Sequence, residues 1–116
     1  LITSKKIKKQ KNIRCFKSID QAKLDPQKKL FIINCTPLGS NLDKKFINKT
    51  SISEEVLKKI SKNSFIFDLV YKPKKTKLNK LCDKYNINYK NGMEMNTFQA
   101  SKALSIVSQL TKFKLT

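Results

Sequence analysis

Apolar runs and amphipathic stretches alternate along this chain. Leu1–Thr3 reads as the tail of a strand, and the lysine-rich stretch from Lys5 to Asn12 as a short helix or loop. Ile13–Phe16 suggests a short strand, and Ser18–Lys23 a single helical turn closed by Asp25-Pro26. Leu30–Asn34 is a continuous apolar run of the kind buried on both faces of a parallel sheet, stopped by Thr36-Pro37 because proline cannot donate to the ladder. Ser51-Ile52-Ser53-Glu54 matches a capping box, with Ser51 as cap. The helix it opens would place Ile52, Val56 and Ile60 on one apolar face with Leu57 beside them. Phe65–Tyr71 is a second buried-strand pattern, ended by Pro73. Thr76 suits a helix cap; Leu78, Leu81, Cys82 and Tyr85 follow at helical spacing, and Asn86 suits a left-handed stop. A short strand at Ile87–Tyr89 and an Asn91-Gly92 turn lead to a last helix from Met95 or Thr97 to Leu110, striped by Ala100, Ala103, Leu104, Val107 and Leu110.

Strand–helix alternation of this kind predicts an α/β fold with right-handed crossovers and a mainly parallel sheet. In such sheets ligands sit beyond the carboxyl ends of the strands. That rule selects two segments, Asn34–Gly39 and Tyr71-Lys72-Pro73. The first combines an amide, a hydroxyl, a rigid proline and a permissive glycine, although turn residues of these types also gather in ordinary loops.

Charge changes this picture less than its size suggests. A net charge of +18 fits a polyanion partner. Yet of 26 basic residues only Arg14 is an arginine, and bidentate base readers need arginine. Lys, Ile and Asn are enriched together while Ala is scarce, as A/T-rich coding produces, so solvated surface lysines account for the charge. Phe65, Phe67 and Tyr71 alternate with other residues along one strand, but their apolar setting reads as core and not as a base-stacking platform. The three cysteines form no CxxC pair and histidine is lacking, so no metal set is expected. Buried reduced thiols suit a cytoplasmic setting, with a plastid as the alternative. No apolar run reaches the roughly 18 residues of a membrane span.

Three segments, in order, carry a family resemblance. Asn34-Cys35-Thr36-Pro37-Leu38-Gly39 resembles the N-[AC]-T-P-x-G loop of the shikimate dehydrogenases; Asp68–Thr76 resembles their D-x-x-Y-N-P-x-x-T; Gly92–Ala100 resembles G-x-x-M-L-x-x-Q-A. The resemblance implies a partial Rossmann-like NADP-binding domain over residues 1–90, and a helical segment over 91–116 that packs back on a separate substrate domain. It also implies NADP as cofactor and shikimate or 3-dehydroshikimate as small-molecule substrate. Thr36, Pro37, Gly39, Gly92 and Met95 would line the cofactor, while Tyr71 and Gln99 would reach the substrate, Gln99 from the head of the last helix. Lys5 and Lys6 stand where the family's basic residue meets the NADP 2′-phosphate.

The chain departs from the family in several places. It has two glycines, Gly39 and Gly92, and so matches only the part that follows the Gly-rich phosphate turn. The family's catalytic Lys and Asp belong to the substrate domain, so no catalytic residue is expected in this chain. Together with a start at Leu1, this suggests a piece of a longer enzyme, inert alone. Lys72 replaces a usual Asn, and Asn96 replaces an apolar residue. Without the resemblance, Tyr71, Met95 and Gln99 would read as a strand-end aromatic, core filler and a solvated helix residue. A small basic nucleic-acid-binding module and a degenerate non-catalytic relative are the competing readings.

Overall fold

The computed structural model describes residues 2–3 and 13–111. Lys5 and Lys6 lie outside the described residues. A short parallel pair joins β1 (Ile2–Thr3) to β2 (Cys15–Phe16), and a 3-10 turn follows at Ile19–Ala22. The main unit is a three-stranded parallel sheet in the order β3 (Phe31–Asn34), β4 (Phe65–Asp68), β5 (Asn88–Asn91). α1 (Glu54–Lys59) connects β3 to β4, and α2 (Lys77–Lys84) connects β4 to β5. α3 (Met93–Thr111) follows β5. The α/β class and the parallel sheet are as expected.

Local chemistry sets the helix starts. Thr76 caps α2, its hydroxyl accepting from Asn79 N at 3.1 Å, as its position predicted. At α1 the cap is Ser53, which accepts from Val56 N at 3.3 Å, and not Ser51. The helix therefore opens two residues later than the capping-box pattern suggested. Glu54 and Glu55 in its first turn and Lys58 and Lys59 in its last complement the helix dipole. Asn86 closes α2 with φ 53°, the left-handed stop expected there.

Sequential strand order has one large consequence. When successive parallel strands are neighbours and every crossover has the same hand, the connecting helices fall on one face. Accordingly, Val56 and Leu57 from α1, Ile60 at its C-cap, and Leu78 and Cys82 from α2 form one buried cluster with Ile52, Ile66 and Ile87. Each such aliphatic side chain contributes about 1.5–3 kcal/mol on full burial. The opposite face carries Phe31, Ile33, Phe65 and Phe67, with Phe31 66% and Ile33 50% exposed. The expectation that β3 is buried on both faces is thus overturned, because both helices were spent on one side. Phe65 and Phe67 likewise belong to this half-open face and not to the core; Phe31 stacks on Phe65 at 5.5 Å.

α3 starts earlier than predicted. Asn91 Oδ1 accepts from Met93 N at 3.1 Å and Gly92 O accepts from Asn96 N at 2.9 Å, so the supposed turn leads straight into the helix. Its stripe is exposed: Leu104 at 55%, Val107 at 53% and Leu110 at 80%. No helix among the described residues is long and apolar enough to cross a membrane. All three cysteines are free, Cys82 buried and Cys15 and Cys35 exposed.

Candidate functional site at the carboxyl edge of the sheet

β3 and β4 run in register, Asn34 beside Asp68. Each strand ends its apolar segment with a polar residue on the helix-covered face, where both are buried, Asn34 at 3% exposure and Asp68 at 0%. Buried polar groups require partners, and these have them. Asn34 Nδ2 donates to Asp68 Oδ1 at 2.9 Å, and Val70 N donates to the same oxygen at 3.0 Å. Tyr89 reaches over from β5, its hydroxyl donating to Asp68 Oδ2 at 2.8 Å and lying 3.3 Å from Thr76 Oγ1. Asn34 Oδ1 accepts from Thr36 N at 3.0 Å and from Thr36 Oγ1 at 2.7 Å. The network ties together the two loops that leave β3 and β4. Burial, reinforced by the hydrogen bond to Asp68, pushes the Tyr89 phenol well above its ordinary range.

Those two loops enclose a cleft of about 330 Å³, lined on one side by residues from Cys35 to Leu42 and on the other by Leu69, Val70, Tyr71 and Lys72. Known small-molecule sites run from about 300 to 1,000 Å³, mostly apolar with few polar groups. Pro37, Leu69 and Val70 supply apolar wall, while Thr36 and Lys72 supply polarity. Asn41 N donates to Lys72 O at 3.1 Å, pinning one wall to the other.

The sequence-derived residues separate into three groups. Thr36, Pro37 and Tyr71 line the cleft. Gly39 and Gly92 are buried behind it and do structural work. Gly39 has φ +95°, a left-handed conformation that a side chain would strain, and its N–H donates to Phe46 O at 2.8 Å. A Cβ at Gly92 would stand 2.8 Å from Leu69 O, so the start of α3 can pass the cleft-lining Leu69 only without a side chain. Met95 and Gln99 belong to α3, Met95 half-buried and Gln99 exposed, and neither is among the cleft-lining residues. Gln99 does not head the helix; it sits well inside it, since α3 opens at Met93. Asn96 is exposed within α3.

Sequence reasoning passed over Asn34 and Asp68 as functional partners. The signal was present: Phe31-Ile32-Ile33-Asn34 and Phe65-Ile66-Phe67-Asp68 share one pattern of three apolar residues and a polar one, and parallel pairing aligns them position by position. Among the described residues no cluster of His, Cys, Asp and Glu could hold a metal ion.

Comparison with known proteins agrees with the motifs. A Clostridium botulinum (strain Hall) protein named shikimate dehydrogenase (NADP(+)) is 35% identical over 101 residues, covering 87% of this chain. Over that stretch the chain is similar to the shikimate dehydrogenases. Relatives of the same name from Dictyoglomus turgidum and Dictyoglomus thermophilum are 35% and 33% identical, over 81% and 84% of the chain. The chain spans only about a third of these relatives' length, 36%, 31% and 32% respectively. No protein-family model and no solved structure matches it.

Proposed function

We propose that this chain forms the cofactor-side third of an NADP-dependent shikimate dehydrogenase. In this reading the enzyme interconverts 3-dehydroshikimate and shikimate, and the cleft beyond β3 and β4 receives one end of NADP. The observation that carries it is the joining of the Asn34–Gly39 and Val70–Lys72 loops around one cleft through buried Asn34 and Asp68. The residues present fit that end of the cofactor: the apolar walls of Pro37, Leu69 and Val70 suit a ring, and Thr36 gives the wall a polar edge. NADP supplies the hydride acceptor for the ring alcohol.

The chain's own residues position and do not perform the proton step. Thr36 and Pro37 place the cofactor, and Gly39 supports them by shaping the loop from behind. Tyr71 presents its phenol at the cleft, where a substrate hydroxyl can meet it. Gln99 and Met95 join from α3 once the exposed Leu104–Val107–Leu110 stripe is packed, and residues 91–116 act as the segment that docks on the substrate domain. Lys5 and Lys6 meet the 2′-phosphate as point charges. Proton transfer at the ring oxygen falls to the family's Lys and Asp, which no residue here replaces.

Two assays test this. The purified chain alone is expected to reduce NADP+ with shikimate at no measurable rate. A hybrid of the C. botulinum relative, with its matching 101 residues exchanged for those of this chain, is expected to turn over with NADP+. A hybrid that is folded by circular dichroism yet inactive, or brisk turnover by the chain alone, would contradict the proposal.

A further inference from the structure

The polarity of the cleft follows from a chain of hydrogen bonds that begins at Asp68. This carboxyl accepts at both oxygens, from Val70 N, Asn34 Nδ2 and the Tyr89 hydroxyl. With three donors converging on it, it has no donor to offer Asn34. Asn34 must therefore turn its NH2 toward Asp68, which turns its carbonyl oxygen toward Thr36. That oxygen takes both the Thr36 N–H and the Thr36 hydroxyl proton. A hydroxyl has one proton and two lone pairs. The proton of Thr36 is committed inward at 2.7 Å, and one lone pair faces Leu38 N at 3.3 Å. What Thr36 has left is a single acceptor site, on a side chain that is exposed at the cleft wall.

We infer that Asn34, oriented by Asp68, is a positioning residue that fixes the Thr36 hydroxyl as a hydrogen-bond acceptor. The ligand group that meets Thr36 is then an N–H or O–H donor. Three donors on NADP have this chemistry: the carboxamide NH2, the adenine NH2 and a ribose hydroxyl. An acceptor such as a phosphate or carboxylate oxygen is disfavoured there, because it would face a lone pair. This selectivity goes beyond the assignment of the cleft to NADP, and its ligand half rests on that assignment. The orientation of Asn34 does not.

The test has two independent parts, both by NMR on the isotope-labelled full chain. First, the Asn34 side-chain NH2 is expected to show nuclear Overhauser contacts to Val70 N–H and the Tyr89 ring, and a protected Thr36 hydroxyl proton is expected. In Tyr89→Phe, which removes one donor to Asp68 and keeps two, the Asn34 pattern should persist. Contacts from the Asn34 NH2 to Thr36 in place of Val70, or a freely exchanging Thr36 hydroxyl, would overturn the inference whatever NADP does.

Second, NADP+, its 3-acetylpyridine analogue (no carboxamide NH2) and its hypoxanthine analogue (no adenine NH2) are titrated against wild type, Thr36→Val and Thr36→Ser. In wild type the analogue that lacks the contacting donor should bind about 3- to 10-fold more weakly, the range of one hydrogen bond. Thr36→Val should lose that discrimination and Thr36→Ser should keep it. Equal binding of all three ligands to wild type, with a uniform loss in Thr36→Val, assigns the donor to ribose and supports the inference. Unchanged NADP+ binding in Thr36→Val overturns its ligand half. If NADP+ moves no cleft resonance at all, the cofactor assignment and with it the ligand half fail, while Asn34 is judged by its own contacts.

Discussion

The two faces of the β3–β4–β5 sheet solve the same burial problem differently. On one face α1 and α2 cover the strands, the aliphatic side chains form a single cluster, and the polar residues within it, Asn34, Asp68 and Thr76, are all hydrogen-bonded. On the other face Phe31 and Ile33 meet solvent, although their sequence is as apolar as that of a covered strand. α3 repeats the second condition, presenting Leu104, Val107 and Leu110 outward. The cleft sits at the carboxyl edge of the covered face. Exposed apolar surface of the other kind marks a place for association.

The contrast is broken most severely at Asn34. Asn34→Asp would set a second carboxylate against Asp68 in a buried site, and about 3–5 kcal/mol of stability should be lost in urea unfolding. Adding Asp68→Asn should recover part of that loss, because an NH2 again faces the carboxylate, though Val70 N–H then loses its acceptor. A double variant no more stable than Asn34→Asp would mean the two side chains are not coupled. Gly92→Ala comes next. Its methyl would stand 2.8 Å from a backbone oxygen of Leu69, and such overpacking costs about 1–3 kcal/mol, read as a lower urea midpoint.

The open face should respond in the opposite way. Ile33→Thr keeps strand propensity on a half-exposed position, so stability should change by no more than about 0.5 kcal/mol. Self-association measured by sedimentation should fall. A large destabilisation there would show that this face is already covered in solution.

The smallest effect expected is electrostatic. Glu54 accepts hydrogen bonds from Lys84, at 2.7 Å, and from the Tyr85 hydroxyl. The Lys84 bond first, and the Tyr85 bond second, lower its carboxyl from 4.5 to about 2. A carboxyl depressed on folding stabilises above its unfolded value, and that contribution fades as pH falls from 4.5 through about 2. The same pair raises the Lys84 ammonium, so its share is present below 10.5 and is lost as pH climbs past the folded value. Glu54→Gln should flatten the acid side of the stability profile; an unchanged acid slope would remove Glu54 from the account.

Much of this molecule is legible in its sequence, and the exceptions share a cause. Local chemistry reads well: Thr76 caps, Asn86 stops, Pro37 and Pro73 follow the strand ends, and the parallel alternation stands. Positions decided by neighbours read poorly. Phe31 looks core-like because an apolar run cannot disclose on which side the helices will fall. Gln99 reads as the head of a helix that in fact opens at Met93, directly after β5. The Asn34–Asp68 pair is separated by 34 residues and becomes visible only when strand register sets the two side by side.

Cysteine chemistry offers the most direct test that the cleft is the ligand site. Cys35 is exposed and lines it, Cys15 is exposed on β2 outside the lining, and Cys82 is buried, its thiol pushed up to about 12 chiefly by desolvation. Iodoacetamide labelling, read residue by residue by mass spectrometry, should modify Cys35 and Cys15 and spare Cys82. Added NADP+ should slow Cys35 and leave Cys15 unchanged. Equal labelling of Cys35 with and without saturating NADP+ would contradict the assignment of this cleft.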